Sequence, residues 1–354
     1  MPVQIPNRFK AYVFLTLAVM IWGIATPVIK ATVEYVPPFS FLAIRFWISC
    51  IIALPMSIYY LSKVKLNKTR TRYLLTASFI GHIAALSLYF TGLNRTGSVE
   101  ASLISSLAPL VVAVMGFFIL KEIIKRKQIE GILIAFLGTL IIVFEPLPKI
   151  ALFGNLLFVS GMIFDSFYSI YVKKYLAEDK VITAFMQISL SFVFAAIVFT
   201  PLAVIEQYGY YNKSTELSQQ ECTIADIDKF QNNSGVLCDN VGCHTIKNPE
   251  YYCMIAQEHE NFAQFTTTNI QKYLSQSTKY GIIYMALISG LLGYVLYVMG
   301  LKYIEASEAA VFYYLQPLFG VPIAIIFLKE SITSIFIIGA ILVAFGIILA
   351  ERKK

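Results

Sequence analysis

Charge is scarce in this 354-residue chain: Asp, Glu, Lys and Arg make up only 14% of it, against about 25% in soluble globular domains. That shortage excludes a water-soluble enzyme, and the 58% of apolar residues excludes disorder. Several patterns are missing as well. No G-x₄-G-K-[ST] phosphate loop, H-E-x-x-H or G-x-S-x-G occurs, so ATP-driven transport, zinc-protease chemistry and serine-hydrolase chemistry have no support. The long apolar runs lack strict alternation, which excludes barrel strands. The first run is too long for a signal-peptide core and has no small-residue cleavage site, so it is read as a retained helix.

What remains is a chain of mean hydropathy +0.70, apolar enough for about ten membrane spans of ~20 residues each. The runs predict spans at 11–31, 38–60, 73–93, 98–120, 128–145, 151–171, 182–205, 280–300, 307–328 and 332–350. The net charge of +7 is explained by the membrane rather than by nucleic acid. With the N-terminus inside, eighteen Lys and Arg residues fall on the inner face, concentrated at 63–72, 121–127 and 173–180. Only Lys30, Arg95, Lys149 and Lys329 fall on the short outer connections. The positive-inside rule then predicts cytoplasmic termini.

An internal repeat stands out. A shift of 208 residues lays GLNRTGSVEASLISSLAPL…FFILKE on GLKYIEASEAAVFYYLQPL…IIFLKE, aligning Glu100 with Glu308, Pro109 with Pro317 and Glu122 with Glu330. A five-helix unit is odd, so two copies must have opposite topology. The expected fold is all-α and integral to the membrane, with ten transmembrane helices as two inverted five-helix repeats. Residues 1–148 form the first repeat. Residues 149–354 form the second, interrupted by an extracytoplasmic insertion at 206–279. Inverted repeats imply alternating access around a midplane site.

MIWGIATPVIK in the first span, PPFSFLAIRF opening the second, and the twice-used LxPL…LKE…G…G pattern resemble the drug/metabolite transporter superfamily, EamA type. The resemblance implies a ten-helix carrier whose cavity is lined mainly by spans 1, 3, 4, 6, 8 and 9. The insertion between spans 7 and 8 departs from the simplest members.

That insertion holds Cys222, Cys238, Cys243 and Cys253. An even count on the outer face favours two disulfides, with three possible pairings, and a zinc site with His244 is the alternative. The segment reads either as a stapled lid over the outer mouth or as a decoration without a transport role. Cys50, in the second span, reads as a packing residue.

Ionisable residues at membrane depth become functional candidates because they are costly there. Asp165 shares a helical stripe with Gly161, Tyr168 and Ser169 and suits a substrate amine or a proton; a bond to a neighbouring helix is the structural alternative. Gly161 leaves room beside it for a ligand or a helix. His82, in line with Tyr89, is a candidate relay or substrate donor, or else an interhelical hydrogen bonder. Arg45 reads as snorkelling or pairing with a helix end, and Lys30, on the Trp22–Thr26 face, as an interfacial anchor. Glu100 and Glu308 suit helix N-termini, with gating the alternative. Pro109 and Pro317 deprive the carbonyls of Ser105 and Tyr313 of helical partners. This predicts an asymmetric pocket, with Ser105 and Ser106 on one wall and Tyr313, Tyr314 and Gln316 on the other. Trp22, Tyr168, Tyr294 and Tyr297 are candidate aromatic faces for a cationic group.

The expected function is a secondary carrier, not an enzyme, exporting or exchanging amino-acid-like or amine solutes. It needs no cofactor, takes protons as the candidate coupling ion, and acts as a monomer or homodimer in the plasma membrane. A nucleotide-sugar or organic-phosphate exchanger is the rival within the class, though only Arg45 and Lys30 supply deep positive charge. A receptor using the outer loop is the rival outside it.

Overall fold

The computed structural model describes residues 7–33, 35–105, 107–121, 126–143, 149–179, 181–219, 236–239, 242–245, 262–275, 278–330 and 332–351. The elements are α1 (Asn7–Val33), α2 (Pro38–Lys63), α3 (Lys68–Leu93), α4 (Ser98–Leu120), α5 (Arg126–Val143), α6 (Lys149–Glu178) and α7 (Ala184–Gln219). The hairpin β1 (Val236–Asp239) and β2 (Gly242–Thr245) follows, then α8 (Phe262–Ser275), α9 (Thr278–Leu301), α10 (Ala306–Leu328) and α11 (Ser334–Glu351). Eight of these helices are long and apolar enough to cross a bilayer, while α5 and α11 carry shorter apolar stretches, Ile129–Gly138 and Ser334–Gly346. The chain is an integral, multi-pass membrane protein. Its outer surface agrees: Ile51, Phe118 and Phe327 are each about three-quarters exposed, which only lipid accommodates at this density.

Local chemistry sets the helix ends. Pro38 opens α2, where its missing N–H costs nothing, and the Glu206 carboxylate from α7 accepts the next N–H groups, of Phe39 at 3.1 Å and Ser40 at 2.7 Å. The Asn67 side chain caps α3 by accepting the Arg70 N–H at 2.8 Å. Both α4 and α10 end on a lysine in the left-handed region, Lys121 at φ 56° and Lys329 at φ 55°, a conformation that closes a helix C-terminus.

Helices pack as α2 on α7, α3 on α6, α5 on α11, and α1 on α9 and α10. Glycines permit the closest of these contacts. A Cβ on Gly138 would lie 2.8 Å from the Gly339 carbonyl oxygen and from the Val343 nitrogen, so α5 and α11 touch backbone to backbone. A Cβ on Gly161 would lie 3.0 Å from the Ala85 carbonyl oxygen and from the Tyr89 nitrogen; its room is taken by α3, not by a ligand.

Two elements depart from expectation. Helix α7 runs on to Gln219 instead of ending near 205, and the polar FTTTNIQKYLS stretch is part of helix α8. The α8 helix is tied to the membrane helices: Asn269 donates to the Gln207 side chain at 3.2 Å, and Gln207 donates to the Ser40 hydroxyl at 2.8 Å.

Candidate functional site

Three helices lose α-helical regularity where they approach the centre. Helix α3 passes through a π segment at Phe79–Ala84, α9 through another at Tyr284–Leu292, and α10 through a 3₁₀ segment at Val311–Leu315. Such irregularities turn carbonyls and side chains out of the usual helical register. The Ser289 carbonyl, within the second π segment, accepts the Trp22 indole N–H at 3.0 Å. The Tyr313 carbonyl, freed by Pro317, is taken instead by the Gln316 N–H.

A cavity of about 100 Å³ is lined by residues of the α9 and α10 segments and of the helices packed against them. Helix α1 contributes Trp22, Thr26 and Ile29; α3 contributes Leu86, Tyr89, Phe90 and Leu93; α4 contributes Ser105. From the other half come Phe158 and Asp165 on α6, Met285, Ser289 and Tyr294 on α9, and Tyr313 and Gln316 on α10. These are the six helices that the family resemblance implied, and Arg45 adds a seventh, α2.

The aromatic residues cluster around Trp22. Its ring centroid lies 5.1 Å from those of Tyr294 and Tyr297 and 5.9 Å from that of Tyr313. Tyr297 and Tyr168 stand behind the cavity wall. Tyr297 donates to the Ser169 hydroxyl at 2.9 Å, and the Gln187 amide donates to the Tyr168 hydroxyl at 3.1 Å. Ser169 donates to the Asp165 carbonyl at 3.1 Å, so Tyr168, Ser169 and Tyr297 support the site without lining it. Tyr314 is not among the lining residues, and Ser106 lies outside the described residues.

Two charged side chains face this cavity. Asp165 is half-buried and takes a long hydrogen bond, 3.4 Å, from the Tyr313 hydroxyl. Arg45 is 1% exposed and its Nε has no hydrogen-bond partner among the described residues. It neither snorkels nor pairs with a helix end, because Phe46 and Phe90 rings flank its guanidinium at 4.9 and 5.6 Å. The hydroxyls of Thr26 and Ser105 donate within their own helices, to Trp22 and Ala101 carbonyls.

His82 does not line the cavity. It is fully buried among the rings of Tyr294, Phe192 and Tyr168, 4.7 to 5.4 Å away, and neither ring nitrogen has a hydrogen-bond partner among the described residues. The alternative of an interhelical hydrogen bond is therefore not met among them either.

Ion pairs and lysine contacts fasten the helix ends. Lys30 donates to the Leu93 carbonyl at 3.1 Å, where α3 ends, and Lys173 donates to Leu301 and Ile304 carbonyls at 2.7 and 2.6 Å, where α9 ends. Glu308 pairs with Arg8 at 3.0 Å and accepts the Tyr12 hydroxyl. Arg70 pairs with Asp179 at 2.7 Å; the hydrogen bond from its guanidinium holds the Asp179 carboxyl below the usual range. Within the insertion, the hairpin register sets Cys238 directly opposite Cys243, while Cys222 and Cys253 lie outside the described residues.

A family model described as the EamA-like transporter family matches residues 9–144 and 261–351, more than half of the chain. The chain belongs to the EamA-like transporter family. The residues between the two matches hold the insertion, and also α6 and α7, whose Asp165 and Glu206 the family model does not reach. An uncharacterized transporter of Bacillus subtilis, YetK, is 28% identical over 59% of this chain and 64% of its own length. A second from that organism, YyaM, is 27% identical over 49% of this chain and 58% of its own length. The chain thus spans about three-fifths of these curated relatives. A probable amino-acid metabolite efflux pump of Salmonella typhimurium is 30% identical over 36% of this chain and 40% of its own length. A solved protein structure matches with a TM-score of 0.59 over 97% of this chain and 98% of its own, at 14% identity, a likeness of fold alone.

Sequence reasoning had assigned Arg45 a structural place and had not singled out Ser289. The signal for Arg45 was its position as the one charged residue deep in its span. Ser289 carried no signal, because the π segment that turns its carbonyl toward Trp22 leaves no mark in hydropathy.

Proposed function

We propose that this EamA-family chain is a secondary carrier of small amino-acid-like or amine solutes working by alternating access. The observation that carries the reading is the Asp165 carboxylate in a small aromatic cavity deep in the helical bundle, beside Trp22, Tyr294 and Tyr313. A carboxylate and ring faces together suit an ammonium group. The Salmonella relative, named as a probable amino-acid metabolite efflux pump, agrees in substrate and favours export. Protons are the proposed coupling ion.

The proposed architecture is two inverted five-helix repeats, α1–α5 and α6, α7, α9–α11, with both termini cytoplasmic. Paired features support it: left-handed lysines end α4 and α10, π segments interrupt α3 and α9, and Lys30 and Lys173 close the ends of α3 and α9. The dividing line at 148–149 and a plasma-membrane location belong to the same reading, as do two disulfides in the insertion. A nucleotide-sugar or organic-phosphate exchanger fits less well, since among the described lining residues Arg45 is the one cation and the Asp165 carboxylate shares its cavity.

Flux into proteoliposomes tests this. Radiolabelled amines and amino acids should enter faster with an imposed pH gradient than without, and sugar nucleotides or phosphate esters should not enter. Flux of the phosphate compounds alone would install the rival exchanger.

A further inference from the structure

Arg45 and Asp165 reach one cavity from α2 and α6, and among the described residues no ion pair includes either of them. Arg45 is 1% exposed, its Nε is unpartnered, and no described acceptor bonds its guanidinium. The flanking rings of Phe46 and Phe90 offset part of the burial cost but supply no hydrogen-bond acceptor. A buried cation with open donors is expensive, and an incoming anion relieves that cost. Planar guanidinium favours a carboxylate, which it can hold with two parallel bonds.

The carboxylate of Asp165 in the same cavity restricts what that anion can be. A phosphate or dicarboxylate would meet like charge there, whereas a ligand with one carboxylate and one ammonium satisfies both walls. The same cavity also offers apolar lining, from Leu86, Phe90, Phe158 and Met285. We propose that the cavity binds a zwitterionic amino acid with an apolar side chain, its carboxylate on Arg45 and its ammonium on Asp165. The proposal rests on the carrier reading and narrows it from amines in general to ligands that keep both charged groups.

The test uses full-length protein in proteoliposomes with radiolabelled leucine, methionine and phenylalanine. Unlabelled isopentylamine, which is leucine without its carboxylate, and 4-methylpentanoate, which lacks the amine, serve as competitors. Each should compete at least about tenfold more weakly than leucine, because a site built for a polar group rejects the analogue that lacks it. Arg45→Gln should weaken leucine by about tenfold or more and leave isopentylamine competition unchanged, with Arg45→Lys intermediate. Competition by isopentylamine equal to that by leucine would overturn the zwitterion proposal and leave the carrier standing, a result that needs no variant to fold. Absence of flux for all three amino acids and for labelled isopentylamine would overturn the carrier reading itself.

Discussion

The Glu330 carboxylate, just beyond the end of α10, caps the helix that begins at Ser98: it accepts the Ser98 N–H at 2.9 Å, the Ser98 hydroxyl at 2.8 Å and the Val99 N–H at 2.9 Å. The anion sits where unsatisfied N–H groups and the positive end of the helix dipole converge. The glutamate of the LKE pattern thus belongs to one half of the chain and the helix it closes to the other. Glu122, its counterpart in the repeat, lies outside the described residues.

Removing that cap should therefore cost stability. Glu330→Ala is expected to lose about 1 kcal/mol, read as a lower thermal midpoint in detergent, with Glu330→Gln losing less because its amide oxygen still accepts. An unchanged midpoint for the alanine variant would contradict the cap.

Contact between α5 and α11 gives a second prediction. Gly138→Ala places a methyl group 2.8 Å from two backbone atoms of α11, which neither helix can move independently. A loss of ~1–3 kcal/mol is expected from overpacking. Gly209, whose added Cβ would meet nothing within 4 Å, is the control, and equal midpoints for the two alanine variants would refute the contact.

The ion pair between Arg70 and Asp179 has a pH signature. Asp179 is held below its ordinary value in the folded chain, so its contribution is complete above the unfolded carboxyl pKa of about 3.9 and disappears as pH falls through the lowered folded value. Both side chains are about one-fifth exposed, and the effect should stay below about 1 kcal/mol. The difference in thermal midpoint between the parent and Asp179→Asn should be constant from pH 7 to 5 and shrink below pH 4. A difference that persists undiminished at pH 3 would count against it.

In the insertion, the hairpin chooses among three pairings. Cys238 and Cys243 are register partners, and directly opposed strand positions lie within the Cα separation a disulfide requires. Tryptic mapping without reductant should find both in the peptide between Lys229 and Lys247 as an internal bridge, with Cys222 joined to Cys253. A bridge from Cys222 to Cys238 would show that the hairpin register does not govern pairing.

Much of the architecture was legible because it is written in hydropathy. Eight of the expected spans coincide with helices long and apolar enough to cross a bilayer, and the other two fall on α5 and α11, whose apolar stretches are shorter. The centre was less legible. Trp22, Thr26, Tyr89, Ser105, Asp165, Tyr294, Tyr313 and Gln316 meet at the cavity. Tyr168, Ser169, Tyr297 and His82 do not, because helical spacing alone cannot tell which of several neighbouring helices a stripe will face. Arg45 was misjudged for the same reason: depth along α2 suggested a side chain able to reach the surface, and only packing by Phe46 and Phe90 shows that it turns inward.

The most direct measurement concerns Asp165. Asp165→Asn keeps its size and hydrogen-bonding capacity while removing the charge that the cavity presents to an ammonium group. In proteoliposomes the variant should fold, as judged by an unchanged elution profile in detergent, and should lose gradient-driven uptake of amino acids by about tenfold or more while retaining some counterflow exchange. Transport at the parent's rate across the whole pH range would contradict the account and remove Asp165 from the site.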